Sequence, residues 1–181
     1  QKKQKFLNSF LNESFLLQES LTPSVTLYKN NNHLALKEIT NTGEREITDV
    51  EEYMKLAKTK VSKELFFEVS LPNELLRTYS LSIIDLPDLS ILHPVNLDDY
   101  LNMADALLFI LHSDVEASDK ELEMINYLQN SYPSLPIDFV AEPTEHKGRR
   151  SKSVKGVFLY EGHQEDRKDL ASFLSARLEK T

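Results

Sequence analysis

The stretch Tyr79-Ser80-Leu81-Ser82-Ile83-Ile84-Asp85-Leu86-Pro87-Asp88 decides the fold. Its first half is apolar and β-branched and reads as a strand buried on both faces, as in the interior of a parallel sheet. Asp85 stands at the carboxyl end of that strand, and Pro87 takes the chain out of the ladder just beyond it. Ligands in open α/β sheets bind outside the carboxyl ends of strands, so Asp85 occupies the place of a functional carboxylate. The competing reading is an aspartate that merely ends a strand and opens a turn.

Outward from this strand the pattern alternates. Leu65 to Val69 before it, and Ala106 to Leu111, Pro136 to Ala141 and Val157 to Tyr160 after it, read as further core strands. Helices are predicted over 5–12 (Phe6, Leu7, Phe10 and Leu11 on one face), from Thr48 with Glu51 as a capping box, and over 97–103. Another follows the capping box Ser118/Glu121, with Leu122, Ile125 and Leu128 inward, and the last spans about 165–179, burying Leu170, Phe173, Leu174 and Leu178. Val25 to Lys29 and Leu34 to Ile39, joined by Asn30-Asn31-Asn32, read as a hairpin, Asn41-Thr42-Gly43 as a turn and Pro72 to Leu76 as another. Leu86 to Asn96 is a long connection of the kind that is often functional. The whole of 1–181 is expected to be one α/β three-layer domain, a mostly parallel sheet flanked by helices. Between Ala141 and Val157 the expected crossover helix is missing, and a charged segment stands in its place.

Composition narrows the function. With 181 residues, 40% hydrophobic and 28% charged, the chain is long enough for a proper core. The absence of Cys excludes disulfides, iron–sulfur clusters and Cys-based zinc sites. His33, His93, His112, His146 and His163 show no ligand spacing, so no metal site is expected; His112 follows a core strand and could face the same edge as Asp85. No apolar run approaches the ~20 residues of a membrane span, and the Lys-rich start lacks the apolar core of a signal peptide, so a cytoplasmic location is expected. A net charge of −8 argues against nucleic acid as a partner. The basic run Lys147, Arg149, Arg150, Lys152 and Lys155 could touch an anionic membrane, or be a solvated loop. Phe15, Leu16 and Leu17 would mark a contact surface if exposed. The four glycines, Gly43, Gly148, Gly156 and Gly162, form no phosphate-cradling loop.

Several segments together resemble the dynamin-like large GTPases, especially their bacterial members. Phe6-Leu7-Asn8-Ser9-Phe10-Leu11-Asn12-Glu13 is similar to the helix after the family's phosphate loop, L-I-N-A-L-L-G-E. Leu21-Thr22-Pro23-Ser24-Val25-Thr26 resembles its T-P-x-T switch, and Asp85-Leu86-Pro87-Asp88 its D-x-P-G switch. Ala104-Asp105-Ala106 matches the A-D-A strand, and Asp138-Phe139-Val140 starts the strand carrying the base-reading N/T-K-x-D. The resemblance implies a P-loop-NTPase-like fold, with GTP and Mg²⁺ as cofactors if activity is kept.

It also implies that the functional positions have changed. The family's G-K-S/T falls on Lys2-Lys3-Gln4: Lys3 keeps the phosphate lysine, Lys2 replaces a glycine, and Gln4 replaces the hydroxyl that holds Mg²⁺. Val25 replaces the switch threonine. Asp85 is kept, but Asp88 replaces a glycine beside the γ-phosphate and would repel it. Glu142-Pro143-Thr144-Glu145 offers neither the Asn nor the Lys of the base reader. The carried-over set is thus vestigial: Lys3, Gln4 and Asp85 as nucleotide-contact positions, with no catalytic residue. A degenerate domain of this kind is expected to work through protein contact, including self-association across the nucleotide-site face. The resemblance further implies a strand and half a phosphate loop upstream of Gln1, and no stalk or membrane-binding part within these residues.

Overall fold

The computed structural model describes residues 2–13, 25–59, 65–86, 97–113, 116–143 and 156–179. The elements run α1 (Lys2–Leu11), β1 (Val25–Asn30), β2 (Ala35–Thr40), β3 (Gly43–Ile47), α2 (Val50–Thr59), β4 (Phe66–Leu71), α3 (Glu74–Thr78) and β5 (Ile83–Asp85). They continue α4 (Leu97–Leu101), β6 (Leu107–Ile110), α5 (Asp119–Ser131), β7 (Ile137–Ala141), β8 (Val157–Leu159) and α6 (Gln164–Glu179).

An α/β domain is borne out, but not one mostly parallel sheet. The strands form a five-stranded sheet, β3-β2-β4-β1-β5, and a three-stranded one, β6-β7-β8. The second is parallel throughout. The first is mixed: β1 and β4 are parallel, whereas β1–β5, β2–β3 and β2–β4 are antiparallel. The expected hairpin of β1 and β2 does not form, because β4 lies between them. Its seating is fixed at the turn, where Asn31 N donates to Leu71 O and Asn73 N to Asn30 Oδ1. The true hairpin is β2–β3, closed at the Thr40↔Gly43 pair by the expected turn.

The deciding stretch starts as a helix end. Asn73 caps α3, its side chain accepting from Leu76 N. Ser80, at φ 53°, and the Leu81 N→Leu76 O bond close α3 in the manner of a Schellman motif. The segment expected to be a turn is therefore helical, and only Ile83–Asp85 is strand. Ile83 and Ile84 are half-buried rather than buried on both faces. Other boundaries moved less. The α2 cap is Asp49, which accepts from Glu52 N, one residue beyond the expected Thr48 box. The Ser118/Glu121 capping box forms as expected. Phe173 is not buried but 39% exposed.

The core explains why the two sheets hold together. Along β4, Phe67, Val69 and Leu71 alternate onto the helix-covered face, while Glu68 and Ser70 point to the other, where Lys29 pairs with Glu68 at 2.5 Å. The larger apolar cluster joins these β4 residues to Phe6, Leu7, Phe10 and Leu11 of α1, and to Val140, Leu170 and Ala171. A second cluster, Ile125 with Leu111, Phe139 and Ala141, sits under α5. The parallel sheet is thus covered on both faces. The larger cluster runs without a break from one sheet to the other, and α1 belongs to it along its whole apolar stripe.

Candidate functional site

α1 is pinned at both ends, to α3 and α6 at its close and to strand ends of both sheets at its start. At its C-terminus Asn12 takes φ 57°, Glu13 N bonds Asn8 O and Asn12 N bonds Ser9 O, a Schellman closure. Asn73 Nδ2 then donates to Leu11 O at 2.8 Å. The Arg167 guanidinium donates to Phe10 O through Nε and Nη2, at 3.1 and 3.0 Å. At the other end Lys3 reaches the end of β5, and Lys5 pairs with Glu142, just past β7, at 2.8 Å. The carboxyl ends of β5 and β7 therefore both lie at the start of α1, where Asp85 was expected to matter.

The structure brings the three expected site residues, Lys3, Gln4 and Asp85, together. Lys3 Nζ lies 2.7 Å from Asp85 Oδ1 as an ion pair and directs its hydrogen bond to the Leu86 carbonyl. Gln4 Nε2 donates to Asp85 Oδ2 at 3.4 Å, a long contact. Asp85 is 5% exposed. Burial raises its pKa, and Lys3 and then Gln4 pull it only part of the way back.

A polar group that the sequence did not point to lies beneath this carboxylate. Thr26 is directly opposite Asp85 in the β1–β5 register. Its hydroxyl shares a 3.1 Å hydrogen bond with Tyr53 of α2, and Tyr28 is buried beside them. Burial pushes the Tyr28 phenol well above its ordinary value, and Tyr53 and Asp85 add to the shift. The only sequence signal was Thr26 and Tyr28 alternating along a strand with apolar neighbours.

Other candidates fall elsewhere. Val25, expected at the switch-threonine position, is buried. His112 engages Glu121 rather than Asp85. Glu142 keeps an acid at the edge of the expected base-reading segment, but it is tied to Lys5. Beside that pair a cavity of about 40 Å³, lined by Phe6, Ser9, Ile110, Val140 and Tyr160, has room for ordered water. Lys147, Arg149, Arg150 and Lys152, Asp88, and Phe15 to Leu17 lie outside the described residues. Among the described residues no acid–histidine group could hold a metal, and no helix is long and apolar enough to cross a membrane.

Chemically, the arrangement is a lysine whose charge is already answered by a buried carboxylate, at a helix start whose first turn contains no acid. Such a start favours anions. An incoming phosphate would have to displace Asp85 from Lys3.

This architecture, a mixed sheet and a parallel one under a shared helix, places the chain among α/β domains, with the candidate site at strand carboxyl ends. No family model matches the sequence, and no curated protein does. Among solved structures the fold is similar to an oligomerised bacterial dynamin pair, described as providing a mechanism for long-range sensing and tethering of membranes. One such chain gives TM-score 0.64 at 15% identity, covering 98% of this chain and 34% of that one. Another gives 0.58 at 13%, covering 99% and 32%. The chain therefore spans about a third of the length of the dynamin chains it matches, and what it shares with them is fold.

Proposed function

We propose that this domain keeps a bacterial-dynamin fold but has lost efficient nucleotide chemistry, and that it acts through protein contact, including self-association, at the face where α1 begins. The single observation that carries the reading is the closed Lys3–Asp85 pair, with Leu86 O as the lysine's second partner. The lysine that would hold a phosphate is neutralised from within. Gln4, at the position of the Mg²⁺-binding hydroxyl, is turned onto the same carboxylate. Phosphoryl transfer depends on positioning and charge stabilisation, so losing these groups together removes most of it. The membrane-tethering pair to which the fold is similar is itself oligomerised, which supports assembly as the retained property.

Calorimetric titration with GTP and Mg²⁺ tests this. No binding in the micromolar range is expected, and a micromolar Kd would overturn the reading. Sedimentation velocity at rising concentration tests the assembly part, for which a shift toward dimer is expected. A second reading, a domain that still binds and slowly hydrolyses GTP using Lys3 and Asp85, is favoured by the acid-free first turn of α1; the same titration decides between them. Peripheral contact with anionic membrane through Lys147, Arg149, Arg150 and Lys152 is a separate property. Cosedimentation with anionic vesicles that is lost on Arg149→Glu/Arg150→Glu would support it.

A further inference from the structure

We propose that the surface shared by α4 and the second half of α5 docks an arginine- and lysine-rich segment of a protein partner. Among the described residues the two most exposed large apolar side chains are Met103, at 69%, and Tyr127, at 51%. Both belong to this surface. A hydrogen bond ties its two sides together, from the Tyr132 hydroxyl at the end of α5 to Asp98 Oδ1 of α4. Tyr127 lies close enough to act on the same group: burial, then Asp98, then Tyr127 push the Tyr132 phenol up to about 12.

Each exposed apolar side chain has a carboxylate beside it. Asn102 N donates to Asp98 O and Met103 N to Tyr100 O, so the turn continues past α4 and sets Met103 one turn on from Asp99. On α5, Glu123 stands one turn before Tyr127 and is exposed with it. Exposed aromatic and thioether groups of this kind mark contact surfaces, where tyrosine, methionine and arginine are over-represented.

Charge identifies the occupant. Of the chain's 29 acidic and 21 basic residues, the stretch 97–141 holds nine and one, so it carries the whole −8 and the remainder is balanced. Asp138 and Glu121 are answered by Arg177 and His112. Asp99, Asp105 and Glu123 are exposed, with no ion pair among the described residues. Such a field repels nucleic acid and anionic lipid alike, and attracts a cationic polypeptide.

The chain itself holds one completed example of the contact. Arg177 bonds Asp138 through Nε and Nη2, at 3.1 and 2.6 Å, while its guanidinium lies 5.4 Å from the centre of the Phe173 ring. At α4 and α5 the ring and the carboxylates are in place, and the partner brings the guanidinium. An arginine there would lie over Tyr127 and bond Glu123, and a lysine stem would run along the Met103 thioether.

Fluorescence anisotropy tests this, with a labelled peptide of alternating arginine and serine titrated with the 181-residue chain at about 150 mM salt. Tyr127→Ala/Met103→Ala should weaken binding roughly tenfold or more, and Asp99→Asn/Glu123→Gln about as much. Glu165→Gln/Glu179→Gln, which removes two exposed acids from α6, should change it less than about twofold. Absence of binding at that salt overturns the inference. So does an equal loss from the α6 pair, because net charge alone would then be attracting the peptide. Binding that appears only with Arg149→Glu/Arg150→Glu also overturns it, since the chain's own basic run would then fill the surface. None of these outcomes bears on the contact face at α1, because no residue of that face is used.

Discussion

At its C-terminal end α1 is held by Asn73 and Arg167, which donate to the carbonyls of Leu11 and Phe10; at its N-terminal end it is held by Lys3 and Lys5, which reach the carboxylates of Asp85 and Glu142. The first end follows the rules of helix termination. A left-handed Asn12 closes the backbone, and side-chain donors satisfy carbonyls that would otherwise be stranded. The second end breaks them. Lys2, Lys3 and Lys5 put positive charge where the helix dipole is already positive, and no acid stands in the first turn. Local rules are usually broken at sites under functional demand. The C-terminal end is therefore structural, and the N-terminal end is the one at which the proposed contact face lies.

The largest expected effect comes from the structural end. Asn73→Ala removes the donor to Leu11 O and also the cap of α3, whose Leu76 N loses its acceptor. A lost cap and a stranded buried carbonyl together should cost about 2–4 kcal/mol. Urea denaturation checks it, and the loss should be the same at pH 5 and pH 8, since neither group titrates. A loss under about 1 kcal/mol would mean that Arg167 alone holds this end.

Next is Gly162→Ala, on the loop that packs against the middle of α1. Gly162 has φ +94°, and an added Cβ would stand 2.7 Å from Ser9 Oγ, which is already bonded to Tyr160 OH at 2.8 Å. Strain plus the displaced hydroxyl should cost about 1–3 kcal/mol. Ser9→Ala in the same chain should return part of it, because the clash is then relieved and only the backbone term stays.

Lys3→Met probes the other end, where pH dependence is expected. Asp85 has its carboxyl raised by burial, so its ionised form already opposes folding: that group's contribution is most favourable below the ordinary Asp range and declines as pH rises through its folded value. Removing the lysine raises that value further. The variant should lose about 1–3 kcal/mol near pH 8 and much less near pH 4, and Lys3→Met/Asp85→Asn should recover most of the loss. A pH-independent loss would show that Lys3 matters through its stem and the Leu86 carbonyl instead. Glu121 gives an internal control of opposite sign. Burial raises its pKa, but hydrogen bonds from Ser118 N, His112 N and the His112 ring bring it below the ordinary glutamate value. The stability it supplies is present above that ordinary value and disappears as pH falls.

How far the sequence could be read follows the same division. Features fixed within one turn or one strand were legible: the apolar stripe of α1, the Ser118/Glu121 box, and the apolar runs of β6 and β7. Features fixed by a third element were not. β1 and β2 have a turn between them and still do not pair, because β4 outcompetes the hairpin with β-branched and aromatic residues of its own. Pro72-Asn73-Glu74 has the residues of a turn and of a helix cap alike, and the fold uses them as a cap. At the site, Asp85 was placed by its strand end alone. Its partners Lys3 and Gln4 came only from the family resemblance, and Thr26, Tyr28 and Tyr53 converge from three separate segments that no linear spacing connects. Splitting of the sheet was equally invisible, since alternation of strands and helices says nothing about which edges meet.

The smallest effect is the one that separates a brace from an ornament. Lys5 of α1 pairs with Glu142 just past β7, but its side chain is 71% exposed and that of Glu142 47%. Water screens both charges, and holding two long side chains in register costs entropy, so Lys5→Ala should change stability by no more than about 0.5 kcal/mol, and by less in high salt. The comparison of the two ends makes this informative. If Lys5→Ala were as damaging as Asn73→Ala, the N-terminal end would be structural after all, and the lysines would be tethers rather than remnants of a binding surface. A near-silent Lys5 beside a pH-dependent Lys3 assigns the grip of this end to one buried carboxylate. Lys5 is then an exposed cation whose pair with Glu142 contributes little to the fold.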